Sequence, residues 1–167
     1  MKLTYGENGK DGLVGYADAD GASQEHRHAI SGYVVIIDGG AVSWCLKKEE
    51  LVTLSTMEAE YVSATHAAKE LVWIQRLLEE VFRPLKQPIV LFLDNQSAIA
   101  LSHSQGQFHT RTKHIDTQYH FIKFCIEDGS IDLIYCPTED MIADILTKSL
   151  PVIKAKYFTH DLGLLPV

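Results

Sequence analysis

The sequence predicts an α/β domain with a mixed five-stranded sheet covered by helices. Three observations carry this. Two β-rich runs flank Asp38-Gly39-Gly40, as a hairpin requires. A continuous apolar run, Ile89 to Leu93 (IVLFL), has the form of a strand buried on both faces. Residues 60, 64, 67, 71, 74 and 78 make one stripe along a long helix.

In order, Leu13 to Asp18 reads as a first strand that ends in acidic residues. Ser31 to Asp38 (SGYVVIID) and Ala41 to Leu46 (AVSWCL) form the hairpin. Ser55-Thr56-Met57-Glu58 has the capping-box form, and the helix it opens runs to about Phe82, where Pro84 stops it. After the strand at 89–93, Asp94-Asn95 caps a short helix through Leu101. Ser102 to Thr112 is polar and reads as a loop. His114 to Glu127 is a second long helix closed by Gly129, and Ile131 to Cys136 is a fifth strand ended by Pro137. Met141 to Leu150 is a last helix, with Glu139 and Asp140 at its positive end. Residues 151–167 read as a short tail, partly helical.

Composition bounds the function. A chain of 167 residues with 46% hydrophobic and 22% charged residues suits one domain with a full core. No apolar stretch approaches the roughly 18 residues of a membrane span, so a soluble protein, intracellular or packaged in a particle, is expected. Cys45, Cys125 and Cys136 are widely spaced and read as buried thiols rather than a disulfide framework or a zinc site. A net charge of −7 argues against a nucleic-acid binder with its own basic stripe. Carboxylates neutralised by metal, or basic residues lent by a neighbouring domain, would resolve that conflict.

Among 22 acidic residues, four stand out by position. Asp94 ends the buried strand, and open α/β sheets bind ligands at the carboxyl ends of strands; a helix cap is its plainer role. Asp18 ends the first strand on the face of Val14 and Tyr16, with Asp20 as a rival on the same face. Glu60 begins the core-facing stripe of the first helix, where an unpaired charge costs several kcal/mol. A metal ion is a suitable partner for it. Glu58 falls instead on a more polar stripe with Thr65, Lys69 and Arg76. Asp144 lies on a mixed helix face beside Met141 and Lys148, and taken alone it reads as exposed. If the four converge, they make an all-oxygen site for hard cations such as Mg²⁺ or Mn²⁺. Two such ions roughly 4 Å apart can flank a scissile phosphate.

Seven segments, in order, resemble one family. They are GYADADGA (15–22), ISGYVV (30–35), VSWCLKK (42–48), LSTMEAEY (54–61), LDNQSAIAL (93–101), RTKHIDTQYHFI (111–122) and ADILTKSLP (143–151). The chain resembles the ribonuclease H (RNase H) domain at the C-terminal end of the Pol polyprotein of copia-type retrotransposons, over nearly its whole length. The resemblance implies an RNase H-like fold with strands 1–3 antiparallel and strands 4–5 parallel. It implies endonucleolytic hydrolysis of the RNA strand of RNA–DNA hybrids during reverse transcription, with two Mg²⁺ ions and Mn²⁺ able to substitute. Asp18, Glu60, Asp94 and Asp144 take the positions of the family's catalytic, metal-binding carboxylates. The resemblance also makes residues 1–12 a lead-in from a reverse transcriptase region, 13–150 the RNase H domain and 151–167 the polyprotein's tail. The expected place is the cytoplasm, within virus-like particles.

Some positions depart from the family pattern. Gly21 stands where the family has Trp, His28-Ala29-Ile30 replaces a more basic and hydroxylic stretch, and Ser149 replaces Pro. The segment from Cys136 to Ala143 lacks the loop histidine that aids product release in many cellular relatives. His114 either takes that role or simply starts a helix. For the hybrid itself, recognition by shape and 2′-OH contacts is expected. The resemblance places Thr56, Met57 and Gln96 near the minor groove, and Lys47, Lys48, Arg111 and Lys113 are candidates for phosphate contacts. No basic, aromatic-studded helix is visible, so the isolated domain is expected to bind hybrid weakly and in a salt-sensitive way. The competing readings are an integrase or transposase core on the same fold, a non-catalytic module that braces a polymerase or partner, and, from eight scattered histidines, a zinc enzyme.

Overall fold

The computed structural model describes residues 1–6, 12–20, 29–49, 56–82, 88–103 and 113–167, the side chains of 113–116 excepted. Its centre is a five-stranded sheet in the order β4-β3-β2-β5-β6. The strands are β2 (Leu13–Asp20), β3 (Ile30–Ile37), β4 (Gly40–Lys48), β5 (Ile89–Leu93) and β6 (Ile131–Tyr135). β2 pairs antiparallel with β3, and β3 with β4; β5 lies parallel to both β2 and β6. The mixed sheet is therefore as expected. The hairpin turn between β3 and β4 holds Asp38 and Gly39 at φ of 48° and 79°, the doubly left-handed conformation that matches strand twist.

One face of the sheet carries α1 (Thr56–Val81) and α3 (Lys113–Glu127). Ala64, Ala67, Leu71 and Ile74 of α1 are buried against Leu13, Ala17, Leu91 and Leu93. This is the helical stripe read in the sequence, and Glu60 at its start is buried too. α2 (Gln96–His103) follows β5 directly. Asn95 Oδ1, not Asp94, caps it, accepting from the Ala98 N–H at 3.0 Å. Asp94 is thereby left for other work.

The opposite face carries α4 (Asp144–Thr147) and α5 (Val152–Asp161). Here the sequence reading needs correction. A helix over 141–150 was expected, but only 144–147 is α-helical. Met141, Ile142, Ala143 and Asp144 are four consecutive buried residues. The segment turns more tightly than an α-helix: the Asp144 N–H donates to the Met141 carbonyl at 3.1 Å and the Ile145 N–H to the Ile142 carbonyl at 3.2 Å, three residues back rather than four. The tail is also more structured than expected. Phe158 of α5 is fully buried beside Val34, Ile36 and Ile142. Burying such a side chain contributes roughly 1.5–3 kcal/mol. Beyond α5, β7 (Leu164–Leu165) pairs antiparallel with β1 (Lys2–Leu3). Among the described residues no helix is long and apolar enough to cross a membrane.

Candidate metal centre

The carboxyl ends of β2 and β5 lie side by side, because the two strands are parallel and Ala17 is in register with Leu93. Asp18 and Asp94 each follow that pair by one residue and point to the same side of the sheet. Two residues earlier on that side, Tyr16 and Phe92 stack with ring centroids 4.8 Å apart. They pack against Cys136, Met141 and Ala143 and so tie β2 and β5 to the segment that leads into α4. Glu60 enters from the first turns of α1. Ser63, one turn on, fixes that end of the helix; its hydroxyl lies 2.8 Å from the Asp18 carbonyl and 3.0 Å from the Gly32 carbonyl.

One carboxylate oxygen from each of Asp18, Glu60 and Asp94 lies within 4.8 Å of the others. Asp18 is fully buried and Glu60 is 6% exposed. Among the described residues, Glu60 Oε2 has no hydrogen-bond donor although it is buried. Burial, then the charges of Asp18 and Asp94, push the Glu60 carboxyl up to about 9. Burial also raises Asp18, against the opposing pull of Thr147 and Lys148. Three acidic groups so close, two of them buried, are mutually repulsive without a cation. A buried carboxylate oxygen without a donor, on a glutamate that meets two further carboxylates, is what a hard divalent ion would satisfy. The residues present fit such an ion.

Asp144 stands beside this trio. The sequence alone suggested exposure for it; at 1% exposed it is buried, because α4 packs down on β2 and β3. Its Oδ1 accepts from Lys148 Nζ at 2.7 Å and its Oδ2 from Lys154 Nζ at 3.1 Å. Lys148 Nζ also donates to Asp18 Oδ1 at 3.0 Å and lies 3.9 Å from Asp94 Oδ2. Burial disfavours the ammonium, but the Asp144 and Asp18 carboxylates outweigh it and hold Lys148 above the usual lysine range. Two hydroxyls orient the acids. Thr147 donates to Asp18 Oδ2, and Thr138 donates to Asp94 Oδ2 at 3.3 Å.

Of the four sequence-selected carboxylates, three therefore meet directly and the fourth joins them through a lysine. Asp20, the rival to Asp18, is exposed. Thr138, Thr147, Lys148 and Lys154 were missed as site residues. The one available signal was the i,i+4 spacing of Asp144 and Lys148. Thr56, Met57 and Gln96 sit at the first turns of α1 and α2, where Thr56 and Gln96 are exposed. Lys47 and Lys48 are exposed on β4, and the register Asp20–Ile30–Lys48 puts them at the same end of the sheet as the acids, two strands away. Arg111, Gly21 and the Ser55 cap lie outside the described residues, as do the side chains of Lys113 and His114.

No protein-family model matches the chain. In sequence it is similar to the retrovirus-related Pol polyprotein from transposon TNT 1-94 of Nicotiana tabacum, with 43% identity over 140 residues. That alignment covers 83% of this chain and 10% of the relative. It is similar likewise to the Pol polyprotein from transposon RE2 of Arabidopsis thaliana, with 36% identity, covering 93% of this chain and 11% of the relative. The chain thus spans about a tenth of the length of these curated relatives. In structure it is similar to the N-terminal RNase H domain of rv2228c from Mycobacterium tuberculosis. The TM-score is 0.60 at 15% identity, covering 87% of this chain and 96% of that one. The foamy viral protease-reverse transcriptase, solved in complex with RNA/DNA hybrid, is similar at a TM-score of 0.58 and 14% identity, over 81% of this chain and 19% of that chain.

Proposed function

Since the chain belongs to the Pol polyproteins of copia-type retrotransposons and has the RNase H fold of their RNase H domain, we propose that it is a divalent-metal-dependent ribonuclease H. Its reaction is endonucleolytic hydrolysis of the RNA strand of an RNA–DNA hybrid during reverse transcription. The observation that carries this is the convergence of Asp18, Glu60 and Asp94 with the Glu60 Oε2 orphaned and buried. Against an integrase-type reading on the same fold, the similar solved structure covered over almost its whole length is an RNase H domain.

Asp18, Glu60 and Asp94 would hold one Mg²⁺ or Mn²⁺, and Asp144 would complete a second position with Asp18. Two bound divalent ions supply Lewis acidity to an attacking water and to the leaving 3′ oxygen. The remaining work falls to the chain. Glu60 must give up its proton to become a ligand. Thr147 and Thr138 hold the Asp18 and Asp94 carboxylates in fixed orientations. Thr56, Met57 and Gln96, at the first turns of α1 and α2, would meet the minor groove of the hybrid, recognised by shape. Lys47, Lys48, Arg111 and Lys113 would contact phosphates, and His114 would aid product release. A reverse transcriptase domain of the parent polyprotein, inside a cytoplasmic virus-like particle, would supply the rest of the grip; in that scheme residues 13–150 are the catalytic domain, flanked by lead-in and tail.

A second reading, a non-catalytic brace, is favoured by one observation. Both Asp144 carboxylate oxygens are taken by lysines. A cleavage assay on labelled hybrid with Mg²⁺ and with Mn²⁺ separates the two. The wild-type chain should cut hybrid and spare duplex DNA, and Asp94→Asn should fall below about a hundredth of that rate, since even second-shell changes at metal sites cost 10–100-fold. Absence of metal-dependent cleavage by wild type at high enzyme would decide for the brace.

A further inference from the structure

The acidic cluster has two unequal halves. On the Glu60 side a buried carboxylate oxygen has no donor among the described residues. On the Asp144 side an ammonium is already present. Lys148 Nζ lies 2.7 Å from Asp144 Oδ1, 3.0 Å from Asp18 Oδ1 and 3.9 Å from Asp94 Oδ2, so it bridges three of the four acids. Lys154 is placed differently: it pairs with Asp144 Oδ2 at 3.1 Å and with the Thr138 carbonyl at 2.8 Å, on the outer side of Asp144.

We propose that Lys148 is a displaceable internal counter-ion that occupies the second cation position of this site. The first divalent ion then binds on the Glu60 side, and a second binds between Asp18 and Asp144 only as Lys148 swings out. The inference rests on reading the four carboxylates as a metal site and adds what sets its occupancy. A divalent ion bound to these oxygens sits about 2.0–2.6 Å from them. Asp144 Oδ1 and Asp18 Oδ1 already hold the ammonium at hydrogen-bond distance, so a second ion and the ammonium compete for one space. Lys148 can leave. Its side chain is 32% exposed, and a lysine reaches its charge through a flexible four-carbon stem. It resembles a tethered ligand, and its tether is one turn of helix from Asp144.

A ligand that must displace a resident group binds more weakly by the fraction of time the site is free. If Lys148 holds its place about nine-tenths of the time, removing it tightens second-ion binding about tenfold. Calorimetric titration of the whole chain with MnCl₂, without nucleic acid, reads this directly. Lys148→Met should bind the second Mn²⁺ about tenfold or more tighter than wild type. Lys154→Met removes the same charge from outside the bridge and should change affinity only a few-fold. A Lys148→Met titration equal to wild type overturns the proposal. So does an equal gain from Lys154→Met, which would mean that net charge alone matters. If none of the three proteins binds Mn²⁺, the metal reading falls and this inference with it, whereas failure of Lys148→Met alone leaves that reading standing. Should Lys148→Met not fold, the wild type still answers through isotope-labelled dimethyl-lysine signals. The Lys148 resonance, identified by its loss in Lys148→Arg, should move to the position of a solvent-exposed lysine on saturation with Mg²⁺. A resonance that stays in place overturns the proposal.

Discussion

The hydroxyl of Thr147 donates to Oδ2 of Asp18, although 129 residues separate them in the chain. This bond joins α4 to the end of β2 and fixes the plane of a fully buried carboxylate. Outer-shell partners of this kind typically contribute 10–100-fold in metal affinity. Thr147→Val, which keeps the shape and loses the donor, should therefore weaken Mn²⁺ binding by about tenfold or more. Thr147→Ser should restore most of it. A Val variant that titrates like wild type would show that the bond does not orient the site.

Gly32 on β3 sits directly under α4. A Cβ placed there would meet Thr147 Cγ2 at 2.7 Å and Leu146 Cβ at 3.2 Å. Gly32→Ala should push α4 from the sheet and cost about 1–3 kcal/mol in chemical denaturation, the usual range for overpacking. Because Asp144, Thr147 and Lys148 ride on that segment, cleavage should drop by more than the loss of folded protein explains. Unchanged stability would mean that α4 yields freely.

Glu60 makes the metal-free protein sensitive to pH. Its carboxyl is raised from 4.5 to about 9 by burial, then by the charges of Asp18 and Asp94. Above pH 4.5 the unfolded chain loses a proton that the folded chain keeps. The stability from this group is thus complete at low pH and is lost as pH rises toward 9. The upper limit from one group is about 1.4 kcal/mol per pH unit. Asp18, also raised by burial, acts in the same direction. In EDTA, melting temperature should fall from about pH 5 to pH 9, where these groups ionise. Glu60→Gln should flatten the curve, and saturating Mg²⁺ should reverse its slope. A flat wild-type curve would contradict the burial of an ionisable Glu60.

Phe158 anchors the segment after α4. It is fully buried against Val34, Ile36 and Ile142. Phe158→Ala should cost about 3–5 kcal/mol, as for other buried aromatic truncations. It should also loosen Lys154, four residues earlier on α5, whose ammonium lies 4.9 Å from the Phe158 ring centre. An unfolding midpoint close to wild type would mean that α5 is dispensable to the core.

How much of this could be read from the sequence depends on the range of the interactions. Glu60 was legible because a helix repeats every 3.6 residues, and a glutamate on the stripe of Ala64, Ala67 and Leu71 has to face the core. Asp94 was legible because an unbroken apolar strand ends there. Asp144 was not, because its burial is set by Gly32 and the sheet more than a hundred residues earlier, and its own neighbours look amphipathic. The lysines were hidden for a related reason: a Lys beside an Asp on a short helix is indistinguishable from a solvated pair until the sheet closes over it. The start of the helix expected over 141–150 failed similarly. Local periodicity promised a surface helix, and tertiary packing buried Met141 to Asp144 in succession.

The small ribbon of β1 and β7 sets Lys2 against Leu165 and Leu3 against Leu164, with the Thr4 amide 2.9 Å from the Gly163 carbonyl. Met1 and Val167 therefore leave the fold almost at the same point. A short peptide bridge could join them, and the ring so formed could be reopened at an exposed site far from the acids, such as the turn at Asp128-Gly129. A circular permutant cut there keeps every strand pairing and all four acids in place. The identity of a protein fused to either end would then matter less than the distance at which the new breakpoint holds it from the carboxylates.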